Sequence, residues 1–311
     1  MLVVNAKNVV KRYEEKIALD HFNLEVKEGE VLGLLGPNGC GKTTAINSIL
    51  SLLNYDKGEI EVFGEKMTSN SYDIKRQIGL VPQEVSVFEN LTVRENIDYF
   101  AGLYIDDSKQ RKQYVDEAIE FVDLKDYEKF YPRKLSGGLK RRLNIAAGIV
   151  HKPKLIILDE PTVAVDAQSR NFILEGILEL NKQGSTIIYT THYLEEVEQI
   201  ASRIVIMDNG KDIVSGTTKE LKEMITTSEK IVVSFLEIKD EVVSGLSNIT
   251  NVIEATRVNG DFIIMFENGA NNLTNLLEFI KKHGLVYTKL YSQQPTLNDV
   301  FLELTGKELR D

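Results

Sequence analysis

Between the apolar run Val31–Leu35 and a segment in which Ala45, Ile46, Ile49, Leu50 and Leu53 recur at helical spacing lies Gly36-Pro37-Asn38-Gly39-Cys40-Gly41-Lys42-Thr43. No other feature constrains the fold as much, because G-x-x-x-x-G-K-[ST] needs a strand before it and a helix after it, and both are present. Glycines let backbone N–H groups curl around a phosphate without Cβ clashes, and the helix N-terminus adds partial positive charge. Lys42 would then reach the β- and γ-phosphates, and the Thr43 hydroxyl would ligate Mg²⁺. Cys40 contributes a small side chain here; the lesser alternative is a redox-sensitive thiol activated by the helix N-terminus.

The rest of the chain supplies the sheet that such a loop requires. Short β elements are expected at Leu2–Val4, Phe22–Val26, Ile60–Phe63 and Ile78–Val81. Residues 93–150 lack strand patterning and carry helical faces such as Val115, Ala118, Ile119 and Val122, which predicts a helical subdomain over about residues 85–150. Buried strands return at Leu155–Leu158, Thr186–Tyr189 and Ile204–Met207, with a helix Phe172–Leu180 among them. Strands apolar on both faces, alternating with helices, argue an α/β domain around a parallel sheet. With 311 residues the chain is long for one core, and two domains are expected, at 1–220 and 228–311. The second reads βαββαβ: strand Lys230–Leu236, helix Lys239–Leu246, strands Ile249–Val258 and Asp261–Phe266 joined at Asn259-Gly260, a helix ended by Gly284, and strand Leu285–Tyr291. That order is the ferredoxin-like motif of a small α+β domain. A last helix follows Pro295, with Leu297, Val300, Phe301 and Leu304 on one side.

Leu155-Ile156-Ile157-Leu158-Asp159-Glu160 is an apolar strand ending in two acids. A buried strand of this kind delivers carboxylates to the phosphate edge of a parallel sheet. Asp159 would hold Mg²⁺, directly or through water, and Glu160 would polarise a water for attack on the γ-phosphate.

Together these residues resemble the ABC ATPase family, over residues 1 to about 220, and the family's remaining motifs follow in order. The fold implied is a P-loop NTPase with a RecA-like core and a helical subdomain. Leu135-Ser136-Gly137-Gly138-Leu139 is similar to the signature L-S-G-G-Q, with leucine in place of the usual glutamine. Ser136 and the amides around Gly137 and Gly138 open a helix toward an anion. Lys140, Arg141 and Arg142 are read as a solvated helix face. Gln83 matches the glutamine that touches Mg²⁺ and senses the γ-phosphate, and His192 the switch histidine that contacts that phosphate. Tyr13 takes the place of the aromatic residue that stacks on adenine, although a tyrosine near a strand end is also commonly packing. Asp166 matches the loop that crosses between subunits, with Ala164-Val165 where Gly-Leu is usual. The stretch Gln294–Gly306 resembles the ending of the drug-resistance, bacitracin-resistance and sodium-export branch, whose permease is a separate polypeptide.

The resemblance implies an ATP hydrolase that drives a transmembrane permease, most simply an exporter of drugs, peptides or ions. It implies a head-to-tail dimer, with itself or with a related ATPase. Each site would take Tyr13, Gly36 through Thr44, Gln83, Asp159, Glu160 and His192 from one chain, and Ser136 and Gly138 from the other. The segment Gln83–Asn96 would receive a cytoplasmic helix of the permease. With 37 basic against 47 acidic residues and a net charge of -10, nucleic acid is not an expected partner. A single cysteine and the lack of an apolar run near 18 residues fit a cytoplasmic protein, peripheral to the membrane through its permease. The competing expectation is a soluble ABC ATPase regulated through its C-terminal domain, without transport.

Overall fold

The computed structural model describes residues 1–237, 240–267 and 271–306. They form two compact units, Met1–Thr217 and Thr218–Leu309.

The first unit opens with a long hairpin, β1 (Leu2–Tyr13) and β2 (Lys16–Lys27), followed by β3 (Val31–Leu35) and α1 (Lys42–Ile49). Helix α1 stops four residues short of the last residue on its expected apolar face, because Ser51 takes a φ of +50° and Leu52 turns outward. Next come β4 (Lys57–Val62), β5 (Glu65–Lys66), the single turn α2 (Tyr72–Lys75) and β6 (Ile78–Val81). Three helices then follow, α3 (Val93–Gly102), α4 (Ser108–Phe121) and α5 (Gly137–Ile149). The unit closes with β7 (Leu155–Asp159), α6 (Ala167–Lys182), β8 (Thr186–Thr191), α7 (Leu194–Ile200), β9 (Arg203–Asp208) and β10 (Lys211–Gly216).

Two sheets build this unit. Strands β2-β1-β4-β5 form an antiparallel sheet; β10-β9-β3-β8-β7-β6 form the central one. From β9 to β6 every pair in the central sheet is parallel, and β10 alone runs antiparallel, against β9. Strands β3, β7 and β8 are buried along their whole length, so their continuous apolar runs are what a sheet covered on both faces demands. One hydrophobic cluster joins Val4, Phe22 and Leu24 of the hairpin to Ile46 and Ile49 of α1 and to Ile157 and Ile188 of the central sheet. The register decides where chemistry can occur. Leu35 pairs with Thr191 and Asp159 with Thr190, so β3, β7 and β8 end side by side and release Gly36, Glu160 and His192 at one edge.

The second unit contains α8 (Thr218–Glu223), β11 (Thr227–Phe235), α9 (Asp240–Leu246), β12 (Val252–Val258), β13 (Asp261–Glu267), α10 (Asn272–Lys282), β14 (Tyr287–Gln293) and α11 (Leu297–Thr305). Its sheet runs β12-β13-β11-β14 and is antiparallel throughout, the strand order of a ferredoxin-like βαββαβ fold. Asn259 and Gly260 take φ of +52° and +94°, as the two-residue hairpin turn between β12 and β13 requires. Ile231, Val233, Phe262, Ile264 and Phe266 pack with Leu246, Leu276 and Ile280 as a core of its own. Lys239, expected to begin the first helix here, and residues 307–311 lie outside the described residues. Among the described residues no helix is long and apolar enough to cross a membrane.

Candidate functional site

In the tightly bent loop Gly36–Gly41, two of the three glycines have no room for a side chain. A Cβ on Gly36 would lie 2.3 Å from the Met207 carbonyl, and one on Gly41, at φ +114°, would lie 2.6 Å from that of Ala18. Gly39, at φ +78°, has open space before it. Lys42 is buried and its ammonium donates to the carbonyls of Gly36 at 2.6 Å and Pro37 at 3.3 Å. Tyr13, at the end of β1 and half exposed, lines one pocket with Lys16, Ala18, Asn38, Gly39, Gly41, Lys42, Thr43, Thr44, Gln83 and Glu160.

Glu160 is the point of convergence. Lys42 Nζ stands 3.0 Å from its Oε1, Gln83 Nε2 donates to Oε2 at 3.5 Å, and His192 Nδ1 lies 3.3 Å from Oε2 without the angle of a hydrogen bond. Its backbone takes φ +47°, and its N–H donates to both the carbonyl and the hydroxyl of Thr190. That left-handed conformation, costing about 1–3 kcal/mol in a residue with a side chain, swings the carboxylate out of the line of β7. Asp159, one residue earlier and buried, accepts from Thr43 Oγ1 at 2.8 Å and from Thr190 Oγ1 at 2.6 Å. Tyr13, the loop, Lys42, Thr43, Thr44, Gln83, Asp159, Glu160 and His192 therefore form one constellation.

Ser136 and Gly138 are not among the residues lining this pocket. Ser136 caps α5 by accepting from the Leu139 N–H at 3.3 Å, and Leu139 is half-buried. Gly138 is pressed against α6, where a Cβ would fall 2.3 Å from Ser169 Oγ. Asp166 caps α6, accepting from the Ser169 N–H at 2.8 Å and the Ser169 hydroxyl at 2.9 Å. Hydrogen bonds from those groups hold the Asp166 carboxyl below its usual range. Ala164 sits at φ +61°, which explains why glycine suits that position.

Two expectations need correction. Arg141 and Arg142 are not a solvated face, since both are buried. Arg141 donates to the carbonyls of Pro82 at 3.2 Å and Gln83 at 2.7 Å, and Arg142 stacks on Phe172 at 3.9 Å. Their alkyl stems allow a charged residue to be buried where its head finds carbonyls or a ring. The lesser alternative for Cys40, a reactive thiol, also fails: burial pushes its pKa up, and the neighbouring Lys42 charge lowers it by less. The sequence reading missed Thr190, which braces both acids, and Arg141, which holds the glutamine loop. The Thr190-Thr191-His192 run was the available signal for the first; nothing distinguished Arg141 from a surface arginine.

A glycine loop between strand and helix, two acids at the end of a buried parallel strand and a histidine just past the neighbouring strand define a P-loop ATPase. Residues 19–163 match the ABC transporter family, and residues 216–305 match the C-terminal domain of DrrA1-3-like ATP-binding proteins. The chain belongs to the ABC transporter family and is an ATP-binding, ATP-hydrolysing subunit of a transporter. It is 37% identical to the linearmycin resistance ATP-binding protein LnrL of Bacillus subtilis (strain 168), over 99% of this chain and 100% of that one. It is 34% identical to the daunorubicin resistance ATP-binding protein DrrA3 of Streptomyces coeruleorubidus, over 96% and 95%. Among solved structures, the dimeric post-hydrolysis state of the ATP-binding cassette MJ0796 bound to ADP and Pi superposes with a TM-score of 0.64 at 28% identity, covering 69% of this chain and 98% of that one.

Proposed function

We propose that the chain works as half of a head-to-tail pair, with a second copy or a related ATPase, and that the pair drives a separate transmembrane permease. The observation that carries this reading is the convergence of Lys42, Gln83 and His192 on the Glu160 carboxylate, in a pocket that Ser136 and Gly138 of the same chain do not line. Such a pocket is complete in chemistry on one side and open on the other. In the pair, Tyr13 stacks on adenine, the loop through Thr44 holds the phosphates, and the second copy's Ser136 and Gly138 close over the γ-phosphate. Glu160 orients the attacking water and accepts its proton, while His192 contacts the γ-phosphate.

Mg²⁺ fits the donors present. Thr43 Oγ1, the Asp159 carboxylate and the Gln83 side-chain oxygen are hard ligands, and no group of three or more His, Cys, Asp or Glu among the described residues could hold a metal by itself. An ion bound here would share its coordination with phosphate, as Mg²⁺ commonly does, and would neutralise phosphate charge.

For the permease, a groove of about 230 Å³ lined by Leu50, Ile78, Pro82, Phe100, Tyr104 and His151 suits an amphipathic cytoplasmic helix. The exposed rings of Phe88 and Tyr99 extend the apolar surface along the segment after Gln83. The pair would then sit on the cytoplasmic face of the membrane. Relatives named for linearmycin and daunorubicin resistance support export as the direction.

Glu160→Gln removes the proton acceptor and keeps the shape. With ATP, the variant should bind nucleotide, lose hydrolysis and double its mass in light scattering. A variant that binds ATP but stays monomeric would overturn the pairing.

A further inference from the structure

The segment carrying His192 is tied down by a buried network that the ATP chemistry above does not use. Glu196, on α7, is 2% exposed. Its Oε2 accepts from Tyr189 OH at 2.8 Å and from Thr191 Oγ1 at 2.7 Å. Thr191 Oγ1 in turn accepts from the Tyr193 N–H at 2.9 Å. The residues on both sides of His192 are therefore fixed by one carboxylate oxygen, one directly and one through a hydroxyl.

The other oxygen, Oε1, is buried without a hydrogen bond, and so is Arg170 Nε, 3.5 Å away at ion-pair distance. The Arg170 guanidinium stands over the Tyr193 ring at 5.0 Å, and that ring packs on the His192 imidazole with centroids 4.1 Å apart. A buried carboxylate is expensive for packing alone, where an apolar side chain of similar volume would do as well. Its geometry instead specifies an orientation: apart from the Tyr189 hydroxyl, which also meets Thr162, the groups that it and Arg170 touch flank His192.

We propose that Glu196, with Arg170, is a positioning pair that aims His192 at the γ-phosphate. This rests on the reading of His192 as the γ-phosphate contact. Glu196 takes no part in the chemistry; it holds Thr191 and Tyr193 so that the imidazole between them has one orientation, and Arg170 clamps the Tyr193 ring and balances the buried charge.

The test uses the full-length protein and compares Glu196→Gln, Arg170→Gln, His192→Ala and the double variant Glu196→Gln/His192→Ala. Glutamine at 196 keeps volume and one acceptor oxygen but turns an N–H toward Arg170. Arg170, with a side chain 33% exposed, can be replaced without emptying the core. Each single variant at 196 or 170 should lower kcat roughly tenfold to hundredfold while KM and the affinity for a fluorescent ATP analogue change little. In the His192→Ala background, Glu196→Gln should bring no further loss, since a residue acting only through the histidine has nothing left to aim. A further loss of similar size there, or wild-type kcat in both single variants, overturns the pair. Wild-type kcat in His192→Ala would instead overturn the reading of the histidine itself, and is distinguished by that variant alone.

Discussion

His151 is half-buried, stacks on Tyr104 with ring centroids 3.9 Å apart, and contacts the Ile78 carbonyl through Nε2 at 3.1 Å. Burial pushes its pKa below the ordinary 6.5, and the bond to Ile78 offsets part of that shift. The folded chain therefore keeps His151 neutral where the unfolded chain takes up a proton. Stability from this group is full above pH 6.5 and is lost as pH falls from there through the folded pKa. His151→Gln should flatten that part of the curve, measured as the difference in melting temperature between wild type and variant from pH 7.5 to 5; a constant difference would contradict it. Residues of this kind were hard to read. Periodicity marks an arginine as polar, but whether Arg141 reaches water or the carbonyls of Pro82 and Gln83 depends on a neighbour 58 positions away.

Secondary structure was most legible in the buried strands and in the helical stretch with a regular apolar face. The runs at β3, β6, β7 and β8 and the helical stretch from Val93 lie where pattern alone puts them. Strands β1 and β2 are much longer than their apolar cores, Leu2–Val4 and Phe22–Val26, because the hairpin breaks register repeatedly, including between Ala6 and Val9. Such bulges erase the period-two signal that identifies strands. The helical region offers its own test. Asn96 on α3 is fully buried, accepts from the Phe88 N–H at 2.7 Å and donates to the carbonyls of Phe88, Leu91 and Thr92 at 3.0 Å each. It stitches the loop after Gln83 to the helix. Asn96→Leu removes the side-chain bonds to the Phe88 N–H and the Leu91 carbonyl, while the Phe88 and Thr92 carbonyls keep the Leu91 and Asn96 N–H groups, and should destabilise the fold by about 3 kcal/mol in urea melts. Full stability in the variant would show that water replaces the amide.

At the scale of the molecule, the cluster that joins the hairpin, α1 and the central sheet draws only on residues from Val3 to Met207, and the second unit has a cluster of its own from Ile231 to Leu290. A chain ending at Thr217 should therefore fold and bind ATP within about threefold of the full-length Kd, since that cluster contains no residue beyond Met207. Calorimetric titration checks this, and a fragment that fails to bind nucleotide would show that the second unit is required. The hairpin turn at Asn259-Gly260 was legible from sequence, whereas the strand order β12-β13-β11-β14 required coordinates. The one thiol of the chain has a further use. Cys40 is 6% exposed and burial raises its pKa, so little thiolate is available to maleimides or nitroxide reagents at neutral pH. A cysteine introduced on the outer surface of α4 or α10 would take the label selectively, so the proposed pairing of two copies could be tested by spin-label or fluorescence distances without first removing a residue from the loop Gly36–Gly41.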